Sequence, residues 1–157
     1  MDSEIQKNST LNTHHSSLFL VQTDTTVGFL SNDLDRLYSS KQRDKSKKIL
    51  QEVDSFATLN TCTRVPNKYK RLVRNSKKTT FIYPNGESFR VIDKNSKHHN
   101  FISKFKIMYS TSANISGGEF DETFAREKAD IIVETDFSIS SPSKIYKISN
   151  YKKIRVR

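Results

Sequence analysis

Ser110-Thr111-Ser112-Ala113-Asn114-Ile115-Ser116-Gly117-Gly118 is the stretch on which the reading of this chain turns. All of its residues except Ala113 and Ile115 are Ser, Thr, Asn or Gly, so it offers hydroxyls, an amide and flexible backbone N–H groups. It follows the short run Lys106 to Tyr109 and precedes a segment with helical spacing, Asp121 to Lys128. A polar loop between a strand and a helix can form an anion nest. The same residues also suit an ordinary loop with a helix cap. The basic segment Lys41-Gln42-Arg43-Asp44-Lys45-Ser46-Lys47-Lys48 favours the nest, because a hydroxyl-rich loop and a cationic one together make a polyphosphate site.

With 157 residues, the chain is long enough to bury a real core and is expected to form one domain over residues 17–157, after a loose polar tail over 1–16. No apolar run approaches the length of a membrane span. The single cysteine, Cys62, excludes an internal disulfide and suits a reduced, cytoplasmic thiol. The net charge of +10 favours anionic partners such as nucleotides or nucleic acid, although a Lys-, Asn- and Ile-rich composition also fits an AT-rich genome. The charge is uneven: Lys41 to Lys48 and Lys68 to Lys78 are dense in cations, whereas Glu119 to Asp136 is mostly acidic. That asymmetry points to a basic face.

Working outward, Leu18-Phe-Leu-Val21 reads as a buried strand and Gln22 to Phe29 as a hydroxyl-rich turn containing Gly28. Ser31 or Asn32 caps a helix with Leu34, Leu37 and Tyr38 on its inner face, and Ile49 to Val53 reads as a strand. Asp54 is the expected N-cap of a short helix carrying Phe56 and Leu59, and Pro66 opens another helix with Tyr69, Leu72 and Val73 on one face. Asn85-Gly86 between Lys78–Tyr83 and Ser88–Ile92 is a strong hairpin signal. Asn95 to Lys104 reads as a helix, Asp130 to Glu134 as a strand, and Lys144–Ile148 with Tyr151–Arg157 as two closing strands. Helices and strands intermix while hairpins break any strict βαβ rhythm, so the expected class is α+β, with flanking helices around a mixed, twisted sheet.

Several chemistries lack their residues. There is no Walker-type Gly-x-x-x-x-Gly-Lys, no dinucleotide-type glycine turn, no Gly-x-Ser-x-Gly and no Cys-His metal spacing. His14-His15 and His98-His99 are adjacent pairs without chelating spacing, and both read as surface residues, so no metal site is expected. Phosphoryl or nucleotidyl transfer remains open, since it needs mainly positioning, Mg²⁺ and cations near developing charge.

Six short segments, in order, resemble the YrdC-like family. Gln22-Thr-Asp-Thr-Thr-Val-Gly28 is similar to that family's opening Pro-Thr-Asp/Glu-Thr-x-Tyr-Gly, and Lys41-Gln42-Arg43 falls where its Lys-x-Arg motif falls. Ser112-Ala113-Asn114-Ile115-Ser116-Gly117 resembles its Ser-Ala-Asn-hydrophobic-Ser-Gly motif. Thr80 sits where the family places a Thr after Pro-Gly-Pro, Arg90 where it places a strand Arg, and Pro142-Ser143 resembles a late Pro-Ser-Thr. The chain departs at Gln22, Val27, Asp44, Lys48, Ser76-Lys77-Lys78 and Ile92. Those changes remove stiffening prolines and one aromatic wall but keep the cationic and Ser-x-Asn elements.

The resemblance implies a short, single-domain threonylcarbamoyl-adenylate synthase with a large basic concave surface. Such an enzyme consumes L-threonine, bicarbonate and ATP with its Mg²⁺, releases pyrophosphate, and hands its product to a separate transferase complex that modifies tRNA adenosine. It implies Lys41 and Arg43 as the catalytic cationic clamp, with Ser110, Ser112, Asn114 and Ser143 joining them on ATP. Thr23, Thr25, Thr80 and Arg90 would line the threonine side. For the three threonines, β-propensity alone is the competing explanation. The alternative function is a non-catalytic module of the same fold that binds double-stranded RNA or tRNA, which the net charge would support.

Overall fold

The computed structural model describes residues 16–133, 136–138 and 140–157, so the expected tail and His14-His15 lie outside the described residues, apart from Ser16. The chain divides into two compact units. Of the described residues, one comprises 16–49, 109–133, 136–138 and 140, the other 50–108 and 141–157.

In the first unit, β1 (Phe19–Gln22) and β2 (Val27–Ser31) form an antiparallel hairpin with Phe19 opposite Leu30 and Gln22 opposite Val27. β2 pairs with β6 (Ile107–Ser112), from Ser31 opposite Tyr109 to Gly28 opposite Ser112. β7 (Ile131–Ile132) lies parallel to β1 on its other side. The apolar run that reads as a buried strand is one: Leu18, Phe19 and Leu20 are wholly buried. Gly28 has a steric reason, because a Cβ there would lie 2.9 Å from the Thr23 methyl carbon and 3.2 Å from the Thr111 carbonyl oxygen.

Helix α1 (Leu34–Lys41) buries Leu37 and Tyr38 against these strands, and α5 (Glu122–Lys128) buries Ala125. Phe124 of α5 meets Phe29 edge-on, with ring centroids 6.3 Å apart. The cap of α1 is Asp33, which accepts from the Asp35 N–H at 3.1 Å. Ser31, one of the two expected caps, is instead the wholly buried end of β2, and its Oγ accepts from the Asp33 N–H. The strand runs one pairing further than its polar residues suggest. α1 ends in a left-handed residue, Gln42, whose N–H reaches the Ser39 and Tyr38 carbonyls.

The second unit holds β3 (Leu50–Val53), β4 (Thr79–Ile82), β5 (Ser88–Val91), β8 (Lys144–Ile148) and β9 (Lys153–Arg155), in the order β3-β5-β4-β8-β9. β3 lies parallel to β5 and β8 parallel to β4, whereas β4–β5 and β8–β9 are antiparallel, so the pairing is mixed as expected. The Asn85-Gly86 hairpin forms, with Gly86 at φ 87° and its N–H donating to the Tyr83 carbonyl. Leu59 of α2 (Phe56–Cys62) and Val73 of α3 (Lys70–Asn75) pack with Val53, Phe81, Phe89 and Ile148. A 3₁₀ turn over Asn67–Tyr69 precedes α3. α4 (Lys97–Phe105) buries Phe101 and Ile102.

The N-cap of α2 is Ser55, whose Oγ accepts from the Thr58 N–H at 3.1 Å, and not Asp54. Asp54 stands one residue too early and instead accepts from the hydroxyls of Ser55 and Thr58. The expectation that His98 is a surface residue is also overturned. His98 is 4% exposed, and its Nε2 bonds to Glu52 Oε1. Its helix presents it inward, one turn before Ile102, so a pair of adjacent histidines splits between the core and the half-buried flank. His99 uses its Nε2 on the Asp54 carbonyl at 3.0 Å.

Candidate functional site

In the first unit, Lys41 and the Ser110–Gly118 stretch meet. Lys41 ends α1 and its side chain is buried, 2% exposed. Its Nζ donates within reach of Ser112 O at 2.9 Å, Thr111 Oγ1 at 3.1 Å, Ser112 Oγ at 3.2 Å and Asn114 Oδ1 at 3.3 Å. All four acceptors are neutral oxygens. An ammonium held this way is desolvated without being neutralised, and that is costly unless an anion supplies the missing charge. Burial first, and the neighbouring Arg43 charge second, bring the Lys41 pKa down to about 8.

The loop that receives Lys41 organises itself. Asn114 Nδ2 donates to the Ile115 carbonyl at 2.9 Å and to the Gly118 carbonyl at 2.7 Å. Ser112 Oγ donates to Asn114 Oδ1 at 2.5 Å, and the Ser116 N–H returns to the Lys41 carbonyl at 3.2 Å. Gly117 takes φ 81°, a conformation that an L side chain resists. Thus the Ser-x-Asn pattern has a local cause: the Asn amide staples the loop and its oxygen receives both a hydroxyl and the lysine. Ser112 is exposed, so this arrangement ends at the surface. Ser110 lies two residues back in β6, buried opposite Leu30.

Arg43 does not join that cluster by hydrogen bonding. Its Nη2 donates to the Lys48 carbonyl at 3.0 Å and so braces the basic loop, within electrostatic range of Lys41. Thr23 and Thr25, both buried, hold the β1–β2 turn. The Thr25 N–H donates to Thr23 Oγ1 at 3.1 Å, and Thr23 Oγ1 donates to the Thr26 carbonyl.

The second unit gathers Thr80, Arg90 and Ser143. Thr80 and Ser143 share a hydrogen bond of 2.9 Å between buried hydroxyls. Thr80 lies opposite Arg90 in the β4–β5 pairing, and Arg90 lies opposite Glu52 in β3–β5. Directly opposed residues share a sheet face, so Glu52, Arg90 and Thr80 form one buried polar row. Arg90 Nη2 donates to Glu52 Oε2 at 2.8 Å, and His98 bonds to the other oxygen of that carboxylate. Arg157 extends the set, with Nη2 donating to Ser143 Oγ at 3.2 Å and Nε to the Ser143 carbonyl at 3.0 Å. Burial, then the charge of Arg90, lowers the Arg157 pKa.

Sequence reading missed Thr111, Glu52, His98 and Arg157. Glu52 left one signal, as an acid inside the apolar run Ile49–Val53, but its partner follows only from strand register. Among the described residues no group of His, Cys, Asp or Glu is placed to hold a metal ion. Nor, among the described residues, is any helix long and apolar enough to cross a membrane.

No protein-family sequence model matches the chain, and no curated protein sequence is significantly similar to it. Solved structures do match. P. abyssi Sua5 superposes with a TM-score of 0.74 at 16% identity, covering 90% of this chain and 52% of that one. A second Sua5 structure, complexed with L-threonine, gives 0.72 at 16% identity over 90% and 50%. E. coli YciO gives 0.72 at 16% identity over 90% of this chain and 82% of its own. Full-length HypF in its phosphate- and nucleotide-bound form gives 0.67 at 15% identity over 90% and 26%. The fold of this chain is the one these proteins share, and the chain spans about half the length of the Sua5 structures.

Proposed function

We propose, from the fold shared with Sua5 and YciO, that this chain is a nucleotidyltransferase that makes threonylcarbamoyl-AMP from L-threonine, bicarbonate and ATP. The observation that carries the reading is the buried Lys41 ammonium, surrounded by four neutral oxygens of Thr111, Ser112 and Asn114 and so charged toward an incoming anion. The Sua5 complex with L-threonine and the phosphate- and nucleotide-bound HypF support the two substrate types.

In this reaction the threonine amine and bicarbonate form a carbamate with loss of water. A carbamate oxygen then attacks the α-phosphorus of ATP, the bond to the β-phosphate oxygen breaks, and pyrophosphate leaves. No protein nucleophile is required. Both reactants are anionic, so the protein's task is to hold like charges together and stabilise the leaving group. Lys41 supplies a point charge, Arg43 a second cation, and Ser110, Ser112, Asn114 and Ser143 hydroxyl or amide contacts for ATP. Mg²⁺ would enter on the ATP oxygens. Thr23, Thr25, Thr80 and Arg90 are assigned to the threonine side. The product would pass to a tRNA threonylcarbamoyl transferase, and the location we assign to the protein on this reading is the cytoplasm.

The test is pyrophosphate release from purified protein with ATP, Mg²⁺ and bicarbonate, with and without L-threonine and with serine as the control amine. Threonine-dependent release that disappears in Lys41→Ala supports the reading. Release that is indifferent to threonine, or unchanged in a folded Lys41→Ala protein, overturns it.

A further inference from the structure

The chain's positive charge is partitioned between its two units. Residues 50–108 and 141–157 hold 18 Lys and Arg against 4 Asp and Glu, a net of +14. The remaining residues hold 9 against 13, a net of −4, so the excess belongs wholly to the unit that lacks Lys41. Of the four acids in the basic unit, Glu52 is buried on Arg90 and His98, and Asp54 is almost buried. The unit's surface is therefore strongly cationic.

One part of that surface also carries an aromatic ring. Tyr151, in the turn between β8 and β9, is 85% exposed. The turn that presents it is fixed: Ser149 Oγ accepts from the N–H groups of both Tyr151 and Lys152, each at 3.2 Å. Lys68 Nζ donates to the Tyr151 carbonyl at 3.2 Å, which brings the 3₁₀ turn and the start of α3 to the same spot. Lys152, and then Lys153 and Arg155 of β9, continue from the ring along an exposed strand, and Lys70 and Arg71 are exposed in α3. Cations on a terminal strand of a sheet commonly guard against edge pairing. That explanation accounts for Lys153 and Arg155, but not for a solvent-facing tyrosine whose backbone is anchored by Ser149 and Lys68.

We propose that the β8–β9 turn and β9, with Lys68, form a binding surface for single-stranded nucleic acid, in which Tyr151 stacks on an unpaired base and Lys68, Lys152, Lys153 and Arg155 contact phosphates. An exposed ring on an anchored turn beside a cationic track suits recognition of single strands, because stacking needs a base face that a duplex hides. The surface lies within one unit and does not depend on the nucleotidyltransferase reading.

Fluorescence anisotropy with a labelled single-stranded RNA, the same sequence as DNA, and the corresponding RNA duplex tests this. Single strands are expected to bind, with a log–log salt slope of about −0.7 per phosphate contacted. Tyr151→Ala, at a site too exposed to disturb the core, is expected to weaken binding about tenfold or more. Lys152→Ala with Arg155→Ala should flatten the salt slope by about 1.4. Equal binding of RNA and DNA would mean that ring and phosphates suffice, and preference for RNA would add a 2′-hydroxyl contact; either supports the surface. Tighter binding of duplex than of single strands, or full affinity in Tyr151→Ala, overturns it. So does equal displacement of wild type and Tyr151→Ala by heparin at matched charge.

Discussion

The guanidinium of Arg90 lies 2.8 Å from a carboxylate oxygen of Glu52, with the two side chains 4% and 0% exposed. The residue whose sequence position suggests a ligand contact is therefore also part of the folded framework of its unit. Removing one member of a buried ion pair strands the other charge, and the cost is typically about 3–5 kcal/mol. Arg90→Ala is expected to lose stability of that order in urea unfolding. Replacing Arg90→Met and Glu52→Leu together with His98→Leu, so that no imidazole is left unpaired, should recover at least half of it, because the desolvation costs vanish together with the attractions. Equal losses in the single and the triple variant would refute this. A corollary concerns enzymology: inactivity of an Arg90 variant proves ligand contact only once its folding has been measured.

Lys41 makes two pH-dependent effects. Its amine titrates near pH 8 in the folded chain against 10.5 ordinarily. Inorganic pyrophosphate should need the ammonium, so its affinity should fall as pH rises through about 8. For stability the sign is opposite. Between about pH 8 and 10.5 the unfolded chain holds the proton that the folded chain has lost, so Lys41 contributes a stability that rises with pH across that window. Lys41→Met should abolish both trends. Titration calorimetry and urea unfolding at pH 7, 8, 9 and 10 read them, and a wild-type-minus-variant difference that stays flat across the series would refute the assignment.

Tyr83 is 1% exposed, and among the described residues its hydroxyl has no hydrogen-bond partner. Burial raises its pKa well above the usual phenol range. Its ring, in contrast, packs edge-on against Phe89 with centroids 5.9 Å apart. Tyr83→Phe keeps the ring contacts and deletes the buried polar atom, so it is expected to raise stability by about 1 kcal/mol. A melting temperature below wild type would show that the hydroxyl has a partner worth more than its desolvation.

The hairpin and the polar loop were legible because their causes are local. Asn85-Gly86 supplies the positive φ that a tight turn requires, and Asn114 closes its own loop on Ile115 and Gly118. Lys41 and Asn114 were each legible as members of a motif, but not the burial of the lysine, which depends on where α1 ends against β6. Least visible was the row Glu52, Arg90 and Thr80: three polar residues far apart in sequence that share a face only because β3, β5 and β4 adopt one register. The inward turn of His98 was hidden for a different reason, since it depends on how α4 packs against Glu52 of β3. The helix caps were displaced by one or two residues, since several neighbouring Ser and Asp residues can each serve, and backbone geometry chooses among them.

The staple made by Asn114 has a kinetic meaning. Its two carbonyl contacts, together with the Ser116 link to Lys41, are bonds the chain makes with itself. We predict that they spend the ordering entropy of the loop during folding, so that a phosphate ligand is taken up there without induced fit. Stopped-flow traces of ligand binding should then be single exponentials whose rate rises linearly with concentration, without the plateau that a slow rearrangement would impose. Loosening the staple with Asn114→Ala would bring that plateau into view.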